Sequence, residues 1–261
     1  MLESNVPKRI LGVIPARFAS TRFPGKALAI LGGKSIIQHV FERASEARYL
    51  THVVIATDDE RIAEAARSFR APVRMTRSDH SSGTDRVAEV ASADSAEFIV
   101  NIQGDEPLID PVAIDAAILC TIDDSDCPMG TLKKRIEESS EVTNPNIVKV
   151  VCDWQDRAIY FSRSAIPAVR DAADAGSVTH YKHIGLYIYR REFLLSYSDL
   201  PIGPLEKAEK LEQLRALENG YPIRVAQTEY ESMGIDTPQD FERVSELFDS
   251  SSKLSSLLQN G

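Results

Sequence analysis

Apolar positions along the chain fall into two alternating rhythms. The runs Ile10 to Ile14, His52 to Ala56 and Phe98 to Ile102 read as short buried strands. Between them, Ile36, Ile37, Val40, Phe41 and Ala44 recur at helical spacing behind Ser35, a suitable N-cap, with His39 off the stripe and on the surface. A second amphipathic segment points Ile62, Ala65, Ala66 and Phe69 inward. Val73–Met75 reads as a short strand, Val87–Val90 as part of a helix, and 110–122 as a helix opening on Asp110-Pro111. Strand then helix, repeated, predicts an α/β chain: a mostly parallel sheet with helices on both faces. Ligands of such sheets bind beyond the carboxyl ends of the strands.

The rhythm changes in the second half. Asn146–Cys152 and Arg157–Ser162 flank Asp153-Trp154-Gln155-Asp156 as a hairpin, and Ala/Asp-rich residues 168–179 read as a mobile loop. His183–Arg190 is a further strand. A helix is expected over 204–219, from Pro204 to the stop at Gly220. It carries Glu212 on a mainly apolar side, either snorkelled at its margin or facing a polar cavity. Ile223–Ala226 is a late strand, Pro238 sits in the first turn of a last helix, and the Ser-rich residues 249–261 read as a flexible tail. No internal repeat and no long linker divides the chain.

Polar punctuation carries the candidate chemistry. The first strand runs into Ile14-Pro-Ala-Arg-Phe-Ala-Ser-Thr-Arg-Phe-Pro-Gly-Lys26, which sets Arg17, Arg22 and Lys26 among small residues. The loop reads equally as a polyphosphate cradle or as a solvated basic loop. A Walker loop is excluded, because Gly33-Lys34-Ser35 has Leu28 where the first glycine belongs, and no G-x-G-x-x-G follows the strand. Arg77 to Arg86 is a small-residue polar loop entering a helix, suited to capping or to a base or phosphate. Gln103-Gly-Asp-Glu-Pro107 puts a carboxylate at a strand end, where a divalent cation could share it with phosphates; a plain turn uses the same residues.

Composition narrows the partners. The 261 residues carry 39 acidic and 30 basic side chains, a net charge of −9, which disfavours nucleic acid as a partner. A polyanionic substrate therefore needs a local cationic cluster. Cys120, Cys127 and Cys152 lack C-x-x-C spacing, which points to a reducing compartment and away from zinc. No apolar run has signal-peptide or membrane-spanning length, so a cytoplasmic protein with no membrane partner is expected.

The segments just quoted, with Met75-Thr-Arg-x-Asp-His-x-Ser-Gly-Thr84, Tyr160-Phe-Ser-Arg-x-x-Ile-Pro167, His183–Tyr189, Leu211-Glu-Gln-Leu-Arg215 and Gly234–Val244, resemble the 3-deoxy-manno-octulosonate (Kdo) cytidylyltransferase family, the CMP-Kdo synthetases. The likeness runs through nearly the whole chain short of its termini. It implies a Rossmann-like nucleotidyltransferase domain over 1–248, with a smaller dimerisation and sugar-site subdomain inserted at roughly 128–215. It further implies a homodimer that joins CTP and Kdo to give CMP-Kdo and pyrophosphate with Mg²⁺, for lipopolysaccharide assembly. By the same resemblance Arg17, Lys26, Asp105 and Asp236 would be catalytic, and Asp105 and Asp236 would be the magnesium ligands. Arg17, Ser20, Arg22, Lys26, Ser82, Gly83, Thr84 and Gln103 would bind the nucleotide. Gln103, Arg163, His183, Tyr187, Glu212 and Gln213 would line the sugar site, with Arg163 and His183 able to supply the cation a sugar acid needs. Lys207 departs from the pattern, which often has His there. The alternatives are a related sugar acid (8-amino-Kdo or neuraminic acid) or a nucleotide-binding protein without catalysis. Tyr160-Phe-Ser-Arg163 and Leu211–Arg215 disfavour neuraminic acid.

Overall fold

The computed structural model describes residues 9–19, 22–171, 173 and 176–259, the last eleven of these as backbone only. In chain order it holds β1 (Ile10–Ala16), β2 (Ile30–Leu31), β3 (Lys34–Ser35), α1 (Ile36–Ala44), β4 (His52–Thr57), α2 (Glu60–Ser68), β5 (Val73–Met75), α3 (Gly83–Ser92), β6 (Phe98–Asn101) and α4 (Pro111–Ile122). There follow β7 (Met129–Arg135), α5 (Ser139–Thr143), β8 (Lys149–Cys152), β9 (Ala158–Ser162), β10 (Tyr181–Arg190) and α6 (Arg191–Tyr197). The chain closes with α7 (Pro204–Glu209), α8 (Leu214–Glu218), β11 (Ile223–Gln227) and α9 (Pro238–Gln259). The class is the expected one, α/β with a mostly parallel mixed sheet. The chain packs as two compact units.

One unit comprises Leu11–Val90, Asn101–Pro111 and the segment from Ser232 onward. Its strands β1, β4 and β5 lie parallel in that order, with Val13 against Val54 and Ile55 against Val73. Near-continuous burial of Ile10, Leu11, Val13 and Ile14 explains why β1 reads as an unbroken apolar run. Ser35 caps α1 by accepting from the Gln38 N–H, as its type predicts. Two details differ from the periodicity. Ala63 is buried in α2 in place of Ala65, because the helix turns its Ile62–Ala66 edge inward. His39 is half-buried, its ring bonded to the Leu31 carbonyl at 2.7 Å and packed 4.8 Å from Phe248.

The other unit is built mainly from Ala91–Val100 and Val112–Glu231. At its centre is β7, antiparallel to β10 and parallel to β11, with β10 continuing to β8 and β8 to β9. The hairpin of β8 and β9 is the expected one. The strand β7 itself is not legible in the pattern, because Gly130, Lys133 and Lys134 interrupt it. Packing places Lys133 Nζ 2.7 Å from Asp156 and Lys134 Nζ 2.8 Å from Glu231, which makes a cationic strand tolerable.

The expected helix over 204–219 is two helices. Lys210 takes a left-handed conformation (φ 54) and ends α7, after which the chain reverses. α8 then folds back on α7. Arg215 grips Glu206 through two bonds of 2.7 and 2.9 Å, and Glu218 accepts from the Leu205 and Glu206 N–H groups at the start of α7. This exchange of a continuous ladder for a buried ion pair and a cap is a tertiary effect, invisible to periodicity. Among the described residues no helix is long and apolar enough to cross a membrane.

Candidate active site

Two groups of predicted residues assemble, one in each unit. In the first unit, the end of β1 delivers Pro15, Ala16 and the following Arg17 to one side of a small cleft, and Lys26, Ala27, Gln103, Gly104 and Asp105 complete its lining. Lys26 sits on a single 3₁₀ turn that starts at Gly25, whose φ of 72 needs no side chain. Gly104 is required for a different reason. A Cβ there would lie 2.7 Å from the Pro15 carbonyl oxygen, so only glycine lets this loop approach the end of β1.

Asp105 and Asp236 come together around Lys26. Its ammonium lies 2.5 Å from Asp105 Oδ2 and 3.0 Å from Asp236 Oδ1, while Arg22 reaches Asp236 Oδ2 at 3.1 Å. The backbone explains the meeting, because the Ile235 N–H donates to the Asp105 carbonyl at 2.9 Å. Ser232 adds a bond of 2.7 Å to Glu106. Asp236 does not cap α9. Thr237 does, accepting from the Asp240 N–H while Asp240 accepts from the Thr237 N–H, a reciprocal box that leaves Asp236 facing Lys26. Burial works against the Lys26 charge, but Asp105 and then Asp236 outweigh it and hold the ammonium above its usual pKa. Among the described residues no cluster of three or more His, Cys, Asp or Glu side chains is placed to hold a metal. A pair of carboxylates sharing one cation is nevertheless the hard, anionic donor set that a divalent ion takes when phosphate oxygens complete its shell.

The Ser82-Gly83-Thr84 loop opens α3. Ser82 caps the helix by accepting from the Asp85 N–H at 3.0 Å, and Asp85 returns a contact to the Ser82 N–H at 3.1 Å. Arg17 is tied to this loop, donating to the carbonyls of His80 (2.9 Å) and Ser82 (2.8 Å). Behind it lies Arg86, fully buried, bonded to Thr76 and 3.3 Å from Asp58. No sequence signal singled out Arg86. Its place at the ends of β4 and β5 exists only once the sheet forms. Ser20 falls outside the described residues.

In the second unit β10 carries His183 and Tyr187. The His183 ring packs 4.9 Å from Phe161 and 5.5 Å from Tyr187, and its Nε2 meets Thr131 Oγ1 at 2.9 Å. Burial pushes the imidazole down to about 3, so at neutral pH it is a hydrogen-bonding group and not the cation the sequence suggested. Burial, then the charge of Glu212, pushes the Tyr187 phenol up. Glu212 and Gln213 occupy the turn where the two helices reverse. There Gln213 Nε2 is buried without a hydrogen-bond partner among the described residues, a donor that a ligand could satisfy.

Arg163 leaves β9 half-buried and tightly held. Its Nε donates to the Glu209 carbonyl at 2.8 Å and its Nη1 to the Pro145 carbonyl at 3.0 Å. The Glu209 carboxylate accepts from the Arg163 N–H at 2.9 Å and from Ser162 Oγ at 2.6 Å. Glu209 is a supporting residue that the sequence did not reveal, since it faces β9 only after α7 packs there.

Comparison with known proteins identifies the family. The family model described as Cytidylyltransferase matches residues 11–231. A 3-deoxy-manno-octulosonate cytidylyltransferase of Solibacter usitatus is 65% identical over 94% of this chain and 97% of its own. One from Geobacter sulfurreducens is 55% identical over 91% of this chain and 98% of its own. Among solved structures, CMP:2-keto-3-deoxy-manno-octonic acid synthetase complexed with CTP superposes with a TM-score of 0.89, at 41% identity, over 94% of this chain and all of that one. A 4-diphosphocytidyl-2C-methyl-D-erythritol synthase from Anaerococcus prevotii, 12% identical with a TM-score of 0.61, shares the fold alone. The chain belongs to the 3-deoxy-manno-octulosonate cytidylyltransferase family.

Proposed function

We propose that this protein transfers a cytidylyl group from CTP to Kdo, releasing pyrophosphate, as a cytoplasmic Mg²⁺-dependent homodimer serving lipopolysaccharide assembly. The observation that carries the reading is the convergence of Asp105 and Asp236 on Lys26 beside a cationic loop, in a chain 65% identical to a relative bearing that enzyme's name. Arg17, Arg22 and Lys26 are the cations for the triphosphate, with Ser20 alongside. Ser82, Gly83 and Thr84 frame the base, and Gln103 serves both the nucleotide and the sugar acid. Arg163 receives the sugar acid's carboxylate, while His183, Tyr187, Glu212 and Gln213 meet its hydroxyls. Residues of roughly 128–215 form the sugar-site and dimerisation subdomain.

Asp105 and Asp236 would hold Mg²⁺, which when bound neutralises charge on the phosphate oxygens. The anomeric hydroxyl oxygen of Kdo attacks the α-phosphorus in line and releases its proton to solvent, while the bond from that phosphorus to the bridging oxygen of pyrophosphate breaks. Lys26 and the arginines stabilise charge that grows on the departing pyrophosphate. Neutral His183 donates or accepts one hydrogen bond from a fixed position and carries no charge into the transfer.

The test is pyrophosphate release with four nucleoside triphosphates against Kdo, its 8-amino analogue and neuraminic acid, with and without Mg²⁺. Release is expected only with CTP, Kdo and metal together. Equal turnover with neuraminic acid, or none with any sugar acid, overturns the reading.

A further inference from the structure

Lys149 is a buried cation without an assigned role. Its side chain is fully buried on β8, yet no carboxylate bonds it. Its ammonium instead donates to three carbonyl oxygens: Asn144 at 2.9 Å, Ile147 at 2.6 Å and Arg163 at 2.7 Å. An ammonium has three protons and a neutral amine two, so this arrangement uses the full capacity of the charged form. Burial, and then the neighbouring charge of Arg163, both pull its pKa down; Glu209 opposes them.

A lone buried cation is costly, and an apolar side chain of similar length would fill the space without that cost. What the charge accomplishes is visible in its three partners. Two belong to the turn 144–147 and the third is the carbonyl of Arg163. That same turn supplies Pro145 O, which holds the Arg163 guanidinium. Lys149 therefore fixes both the backbone of Arg163 and the turn on which its side chain rests. The balance of charge also matters, since Lys149 and Arg163 act together with one carboxylate, Glu209, leaving an excess of positive charge at this place.

We infer that Lys149 is a positioning residue for the sugar acid: it sets Arg163 and keeps the local charge positive, so that the substrate's carboxylate is the missing anion. The inference rests on the reading of Arg163 as the sugar-acid cation, and deepens it.

The experiment compares Lys149→Met and Arg163→Ala in the full-length protein, with KM for Kdo and for CTP measured separately beside thermal melts. Lys149→Met is expected to raise KM for Kdo by at least about tenfold, the scale of a displaced charge contact, with KM for CTP within about twofold. Arg163→Ala should show the same split. A Kdo defect in Arg163→Ala with none in Lys149→Met overturns the inference and leaves the sugar-site reading standing. No Kdo defect in either variant overturns both. An equal rise in both KM values for Lys149→Met marks a general structural role and also overturns it. Should Lys149→Met not melt cooperatively, Lys149→Arg takes its place. It keeps the charge, but its planar fork cannot meet three converging carbonyls, so a Kdo-selective KM increase supports the inference and an unselective one overturns it.

Discussion

At the scale of single residues, the proposed function leans on carboxylates whose neighbours forbid simpler roles. Asp236 has no capping duty because Thr237 and Asp240 perform it. Asp236→Asn should therefore melt within about 2 °C of the native protein, yet lose turnover by roughly 100-fold or more. Asp105→Asn should behave alike, and the double variant should be hardly worse than either, because both act on one unit. Near-normal turnover of Asp236→Asn, read beside its melt, would show that the paired carboxylates are structural. His183 makes a pH prediction. Its folded pKa, about 3, lies below the ordinary 6.5, so between these values the unfolded chain binds the extra proton. Its contribution is complete above pH 6.5 and is lost as pH falls through that window, by about 1.4 kcal/mol per pH unit. Denaturant melts from pH 7 to pH 4.5 should show a shallower decline for His183→Gln than for the native chain. Parallel declines would refute the assignment.

At the scale of elements, the instructive case is the pair α7 and α8. Their separation depends on the buried bidentate pair of Glu206 and Arg215 and on Glu218, whose carboxylate caps α7 from the neighbouring helix. Removing one partner strands the other charge, so Glu206→Ala should destabilise by about 3–5 kcal/mol in chemical denaturation. The paired replacement Glu206→Leu with Arg215→Met should cost much less, since no charge remains buried. If the single and double variants melt alike, the pair does not hold the reversal. Because Glu212 and Gln213 sit on that reversal, Glu206→Ala should also weaken use of the sugar acid. Strand β7 teaches a related lesson. Its lysines hide it from pattern reading, and it forms because Asp156 and Glu231 meet them across the unit.

At the scale of the whole molecule, an acidic chain keeps two local groups of cations where anionic substrates are expected. Arg17, Arg22 and Lys26 gather in one loop, and Lys149 and Arg163 in another place. The expected homodimer makes a plain prediction: sedimentation equilibrium should report twice the 28.9 kDa chain mass, and dilution should not leave an active single chain. A fully active species at the single-chain mass would remove the dimer from the account.

The chain by itself determined a good deal. Continuous apolar runs identified β1, β4 and β6, because strands buried on both faces leave no alternation to misread. The cap at Ser35 and the proline at α4 are local signals with local causes, and the motifs carrying Arg17, Lys26, Asp105 and Asp236 name the family. Tertiary structure decided the rest. That Lys26 stands between two carboxylates 131 positions apart follows from one backbone hydrogen bond, Ile235 to Asp105, and from a glycine at 104 that lets the Asp105 loop lie against the end of β1. That His183 is neutral, that 204–219 is two helices, and that Lys149 and Glu209 support Arg163 are consequences of burial and of partners distant in sequence. Periodicity reports which face of an element is apolar. It carries no record of which charge will be desolvated, or of what will stand opposite it.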